Sequence, residues 1–131
     1  MSHLGSLNLA AQGKNKRVLF VCSGGMLRSA TASHVFCQEP YNWNTRAAGT
    51  MEGAIVPVTE TLLEWADEIY CMMPEHALSI KEKFEGFCFN KVRVLAIEDA
   101  YNYRAPRLVH LLLRNMERMT KKESDGHTAS N

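Results

Sequence analysis

Residues 16 to 36, KRVLFVCSGGMLRSATASHVF, constrain this chain more than any other stretch, because they pass from strand to loop to helix around one cysteine and one arginine. Val18 to Val21 is a short β-branched and aromatic apolar run, the composition of a buried strand. It stops at Cys22. Ser23, Gly24 and Gly25 can bend sharply, since glycine reaches positive φ without steric penalty. From Ser29 onward, small residues followed by Val35 and Phe36 read as a helix start. A loop of backbone N–H groups that feeds a helix N-terminus is an anion cradle, because those groups and the helix dipole both favour a phosphate-like ligand.

Cys22 and Arg28 bracket this loop as C-x-x-x-x-x-R, and Ser29 follows. If Ser23, Gly24, Gly25, Met26 and Leu27 wrap a tetrahedral oxyanion, the Cys22 sulfur sits beneath the phosphorus. The Arg28 guanidinium folds back to hold two equatorial oxygens in a planar fork. The dipole and N–H groups favour the thiolate, which is the nucleophilic form, and Ser29 can donate a hydrogen bond to it.

The rest of the chain bounds what surrounds this loop. At 131 residues, 46% hydrophobic and 22% charged, it is one domain with a modest core. Residues 1–15 read as a flexible lead, 16–120 as the folded domain and 121–131 as a polar, frayed tail. A formal net charge of +1 suggests neither nucleic acid nor membrane as a partner, and no apolar run is long enough to span a bilayer. The first residues lack the basic start and long apolar stretch of a signal peptide, so a cytoplasmic setting is expected. Cys37, Cys71 and Cys88 lie in apolar contexts, and core thiols are expected at Cys37 and Cys88. The cysteines and the five histidines show no ligand spacing, so neither a metal nor any other cofactor is expected.

Further strands are expected at Trp43 to Ala48, Asp67 to Met72 and Lys91 to Ala96. Between them lie a helix after Pro57 with Leu62, Leu63, Trp65 and Ala66 inward, and one opened by Pro74 with Ala77, Ile80 and Phe84 on one face. Pro106 opens the last helix, along which Leu108, Leu112, Met116 and Met119 repeat. Alternating strands and helices imply an α/β fold with a parallel sheet and right-handed crossovers. In such a sheet, ligands bind beyond the carboxyl ends of strands, where Thr50 to Glu52 either line the site or form a plain turn.

VLFVCSGGMLRS resembles the phosphate loop of low-molecular-weight protein tyrosine phosphatases, and more closely that of their short bacterial branch, which is related to thioredoxin-coupled arsenate reductases. The resemblance continues through AAGTMEG, PVTETLLEWADEIYCM and IEDAYNY, and so covers most of residues 16 to 119. It implies a three-layer, flavodoxin-like fold with four parallel strands in order 2-1-3-4. It also implies Cys22 as nucleophile, Arg28 as phosphate binder, and Asp99 in IEDAY as the general acid and base, with Glu98 the competing acid. Tyr101 and Tyr103 resemble the aromatic wall that stacks on a phosphotyrosine ring. On the residues alone, Asp99 reads as a solvated turn residue and the tyrosines as rim packing.

The chain also departs from the family pattern. Gly25 stands where an asparagine is usual and Ala47 where its serine partner is usual, so both members of a polar network are missing. Ala30 replaces a proline, Ser33 a glutamate, and Ala100 a proline or aspartate, while Asn102 follows Tyr101 where a second tyrosine is usual. Three activities are therefore open. The first is a metal-independent phosphatase acting on a phosphorylated protein or a small aryl phosphate through a Cys22 phosphocysteine. The second is a module that binds phosphate or phosphotyrosine without turnover, and the third is an arsenate reductase, which needs resolving thiols. The sequence leaves the oligomeric state open.

Overall fold

A computed structural model describes residues 15–24, 27–85, 87 and 89–129, with side chains as far as 121. In chain order the elements are β1 (Arg17–Cys22), α1 (Arg28–Phe36), β2 (Asn44–Gly49), α2 (Glu60–Trp65), β3 (Glu68–Cys71), α3 (Pro74–Lys83), a 3-10 turn (Phe89–Lys91), β4 (Val92–Val94) and α4 (Pro106–Ala129). The strands form one sheet in the order β2-β1-β3-β4, and every pairing is parallel. This is the expected architecture, with helices covering both faces.

The apolar run of β1 explains its central place. Val18, Phe20 and Cys22 face one core, which they share with Phe36 of α1 and with Leu108, Leu112 and Met116 of α4. Leu19 and Val21 face the other, with Leu63 of α2, Ile69 of β3 and Ile80 of α3. A strand buried on both faces must be apolar at successive positions rather than alternate ones. Each fully buried Phe or Leu contributes about 1.5–3 kcal/mol, so β1 is pinned in depth and register before its loop is considered. Trp65 packs partly buried on the second core, with the Arg46 guanidinium 4.7 Å over its ring.

Aromatic stacking fixes α1 against the sheet. The Phe36 ring lies 5.5 Å from Phe20, 5.4 Å from Trp43 and 4.9 Å edge-on from Tyr41. A hydroxyl bridge adds to this: Ser33 Oγ donates to Thr45 Oγ1 at 2.8 Å, and Thr45 Oγ1 donates to the Ser33 carbonyl at 2.7 Å. Ser33, where the family usually has glutamate, thus ties α1 to β2. Thr59 caps α2 by accepting from the Leu62 N–H at 3.2 Å, and Pro74 begins α3.

Four expectations are corrected. β4 ends at Val94 rather than Ala96, because Ala96 has φ +61°, which no extended strand accommodates. β3 is confined to Glu68–Cys71. Cys37 is exposed rather than a core thiol, since it caps α1 just past the last residue that turns inward, while Cys88 lies outside the described residues. The last helix runs to Ala129, through the segment read as a frayed tail, because a polar composition without proline does not by itself end a helix.

A non-glycine residue held in the left-handed region carries a cost of about 1–2 kcal/mol. Ala96 is exposed, so removing its methyl group forfeits little packing. Ala96→Gly is therefore expected to raise the unfolding free energy by about 0.5–1 kcal/mol, net of the entropy that glycine adds to the unfolded chain. Urea titration checks this, and an unchanged or lower midpoint contradicts it.

Candidate active site

β1 delivers Cys22 to the carboxyl edge of the sheet, between β2 and β3, where the strand order reverses direction. Cys22 is 3% exposed, and its sulfur lies 3.0 Å from Ser29 Oγ, in the first turn of α1. The start of the loop is strapped to the segment after β2. The Cys22 carbonyl accepts from the Thr50 N–H and the Ser23 carbonyl from the Met51 N–H, each at 2.9 Å. Thr50 thus meets the loop through its backbone. The first turn of α1 holds no acidic residue, and Leu27, its cap, makes no side-chain cap bond. The dipole end therefore meets no carboxylate from its own helix.

Arg28 is 4% exposed, and its Nη1 donates to the Ile97 carbonyl at 2.8 Å. That contact joins the anion loop to the segment after β4. The segment is anchored at both ends: the Ile97 N–H donates to the Met72 carbonyl at 2.8 Å, and the Arg104 N–H donates to Thr31 Oγ1 at 2.9 Å. Thr31, fully buried in α1, itself donates to the Leu27 carbonyl at 2.6 Å. Glu98, Asp99, Tyr101 and Tyr103 lie on the arch between these anchors. Glu98 and Asp99 are exposed, Tyr101 packs partly buried on the α4-side core, and Tyr103 is 49% exposed.

His76 was not anticipated. It sits in the first turn of α3, only 2% exposed, with Nε2 3.0 Å from Ser23 Oγ. Its Nδ1 accepts the Met73 N–H at 3.1 Å. A backbone N–H can only donate, so Nδ1 is the acceptor and the neutral ring carries its hydrogen on Nε2, directed at the Ser23 hydroxyl. Burial lowers the pKa of His76 below 6.5 and the Arg28 charge lowers it further, while the Glu75 and Asp99 charges act in the opposite sense.

The structure brings together Cys22, Ser23, Arg28 and Ser29, with Gly24 following and Leu27 at the rim, 38% exposed. Gly25 and Met26 lie outside the described residues. Gly24 does not use its conformational freedom: its φ is not left-handed, and an added Cβ would meet nothing within 4 Å. The one signal for His76 was its place three residues after Met73, the spacing at which a side chain reaches back to a helix cap. A search for metal-ligand spacing passes over it.

No family model matches the sequence, and no curated protein matches it. Solved structures do match in three dimensions. The solution structure of a low-molecular-weight protein tyrosine phosphatase from Bacillus subtilis aligns at TM-score 0.61 and 25% identity, over 82% of this chain and 99% of that one. The chain has the low-molecular-weight tyrosine phosphatase fold. A YwlE arginine phosphatase, as a cysteine-to-serine mutant with a phosphorylated active-site serine, aligns at TM-score 0.61 and 24% identity over 81% of this chain and 96% of that one. Wzb from Vibrio vulnificus, in complex with benzylphosphonate, aligns at TM-score 0.62 and 18% identity over 82% and 99% of the two chains. The resemblance read from the loop therefore extends to the phosphatase fold as a whole.

A buried histidine with a lowered pKa is expected to make the fold sensitive to mild acid. Because the folded chain holds the His76 proton more weakly than a free imidazole with pKa 6.5, the unfolded chain protonates first. The stability that neutral His76 contributes is present above about pH 6.5 and is lost as pH falls below it. Urea unfolding at pH 7.5 and about pH 5.5 is expected to show a smaller loss for His76→Gln than for wild type. Equal losses contradict the assignment.

Proposed function

We propose that this protein is a cysteine-dependent phosphate-monoester hydrolase acting on phosphorylated protein, with phosphotyrosine as the preferred substrate class. The observation that carries the reading is the joining of nucleophile, phosphate fork and acid arch. Cys22 stands beside Ser29, and Arg28 binds the carbonyl two residues before Asp99.

In the first step the Cys22 thiolate attacks phosphorus opposite the leaving oxygen. An S–P bond forms and the P–O bond breaks, with the Asp99 carboxyl giving its proton to the departing phenolate. With one N–H donor engaged by Ile97, Arg28 retains four for the equatorial oxygens. The loop N–H groups at the start of α1 take the remaining charge, and Ser29 steadies the sulfur as a leaving group. In the second step Asp99 accepts a proton from water, which attacks phosphorus, breaks the S–P bond and releases phosphate. Asp99 is preferred to Glu98 as the acid because it holds the place of the general acid in the IED-x-Y pattern that the chain shares with the phosphatases it resembles.

Tyr101 and Tyr103, on the arch, suit an aromatic substrate ring, which supports tyrosine over arginine. The YwlE likeness keeps phosphoarginine as the competing substrate. A nucleophilic cysteine needs a compartment where thiols stay reduced, and on this reading the protein works in the cytoplasm. Among the described residues, no helix is long and apolar enough to cross a membrane.

The arsenate reductase reading loses support. Burial pushes the Cys71 thiol up to about 12, so it holds its proton and cannot serve as a resolving thiolate. Cys88, the other candidate resolving thiol, lies outside the described residues, and Cys37 lies at the far end of the nine-residue α1, about 13 Å along the helix from the loop. A binding module without turnover remains the second reading, favoured by Ala47, which offers the loop no polar partner from β2.

Hydrolysis of p-nitrophenyl phosphate in excess chelator tests the proposal. Turnover by wild type, its loss in Cys22→Ser and Arg28→Lys, and a fall of about 10²–10⁴ in kcat for Asp99→Asn on poor leaving groups are expected. Phosphotyrosine and phosphoarginine peptides then separate the two substrate classes. Turnover by Cys22→Ser would sink the mechanism. An inert wild type whose melting temperature still rises with vanadate would identify the binding module.

A further inference from the structure

We propose that His76 is a positioning residue of this reaction, holding the Cys22–Ser23 end of the anion loop through the Ser23 hydroxyl. The inference rests on the phosphatase reading above and adds a residue to it.

Between Cys22 and Arg28 the sequence is Ser-Gly-Gly-Met-Leu, so Ser23 is the one polar side chain that the loop itself carries. Gly24 has open space where a side chain would be, and the residue after it in the sequence is again glycine. Ser23 is held from two sides. Its carbonyl accepts from Met51 on the β2 side at 2.9 Å, and its hydroxyl lies 3.0 Å from His76 Nε2 on the α3 side. His76 can serve as a fixed post because it is itself fixed: it is buried, and the Met73 N–H at 3.1 Å sets its tautomer. Because the ring donates to Ser23, the hydroxyl keeps its own hydrogen for a further acceptor.

The consequence is geometric. The first peptide units of the loop set where the oxyanion sits above Cys22, and an error of about 1 Å in a reacting pair can cost about 10²-fold in rate. A loop with two glycines does not hold such a position by itself. His76 therefore acts on the reaction through Ser23, without touching substrate.

Asparagine and glutamine separate this role from simple capping of α3. In His76→Asn the amide oxygen can still take the Met73 N–H, but the side chain is too short to reach Ser23. In His76→Gln the amide nitrogen reaches the place of Nε2. Rates with p-nitrophenyl phosphate, inhibition by orthovanadate and melting temperature are measured for wild type, Ser23→Ala, His76→Asn, His76→Gln and the Ser23→Ala/His76→Asn double variant. The expected result is a fall of about 3- to 10-fold in kcat/KM and vanadate affinity for Ser23→Ala and for His76→Asn. The double variant is expected to fall no further than the worse single one, and His76→Gln to recover most of the loss. Wild-type kcat/KM and vanadate affinity in His76→Asn, or losses that multiply in the double variant, overturn the proposal. If His76→Asn does not fold, a His76→Gln variant as impaired as Ser23→Ala overturns it. Where wild type binds vanadate without turnover, the same comparison is read from vanadate affinity alone. A wild type that neither turns over nor binds vanadate overturns the phosphatase reading and this proposal together, whereas an active wild type with an unaltered His76→Asn overturns only this one.

Discussion

The buried guanidinium of Arg28 is the contact on which the rest of the site depends. At 4% exposure it must satisfy its donors inside the protein or on a bound anion, and the Ile97 carbonyl takes one of them. Ile97 follows β4, at the far edge of the sheet from β2, so this one bond links two loops that the chain separates by 69 positions. With Thr31 holding Arg104, the arch that carries Asp99 is moored to the same helix in which the loop after Cys22 ends. The segment carrying Asp99 and the Arg28 guanidinium therefore share a support.

That support is set by burial. β1 is enclosed on both faces, and its alternate residues enter two separate cores, so Cys22 cannot shift along the strand without exposing Phe20 on one side and Val21 on the other. Rings from β1, α1 and the turn before β2 hold the helix in place behind it. The backbone then leaves its relaxed regions at Ala96 and Arg104, with φ of +61° and +59°, at the two ends of the arch. Strain of this kind persists where surrounding contacts over-determine the chain, and here the Ile97 and Arg104 hydrogen bonds do so.

The polar bracing of the loop has a particular distribution in this chain. β2 presents Ala47, and the glycines of the loop bring no side chains. Backbone straps from Thr50 and Met51 hold the β2 side instead, and a side-chain brace on Ser23 comes from α3. The anion loop is thus steadied from the strand edge and from the facing helix, which a survey of family positions alone would score as an absent network.

The residues of 16 to 36 determined much of this by themselves. A run of apolar β-branched and aromatic residues ending in Cys-x5-Arg-Ser allows few local folds, and the strand and helix that it specifies are the ones observed, because they depend on near neighbours. The strand order and the grouping of the Cys22 and Asp99 segments at one sheet edge were legible through the family resemblance. Other features waited for the tertiary structure. His76 stands 53 positions from Ser23, and nothing in its local pattern records that α3 begins beside the loop. Cys37 looked apolar in its neighbourhood, yet its exposure depends on where α1 stops turning toward the sheet. Ala96 looked like a strand residue, yet the closing of the arch onto Met72 and Arg28 sets its φ. Short-range propensity acts between adjacent residues, whereas the orientation of a side chain toward a distant partner is decided by packing, which no local window contains.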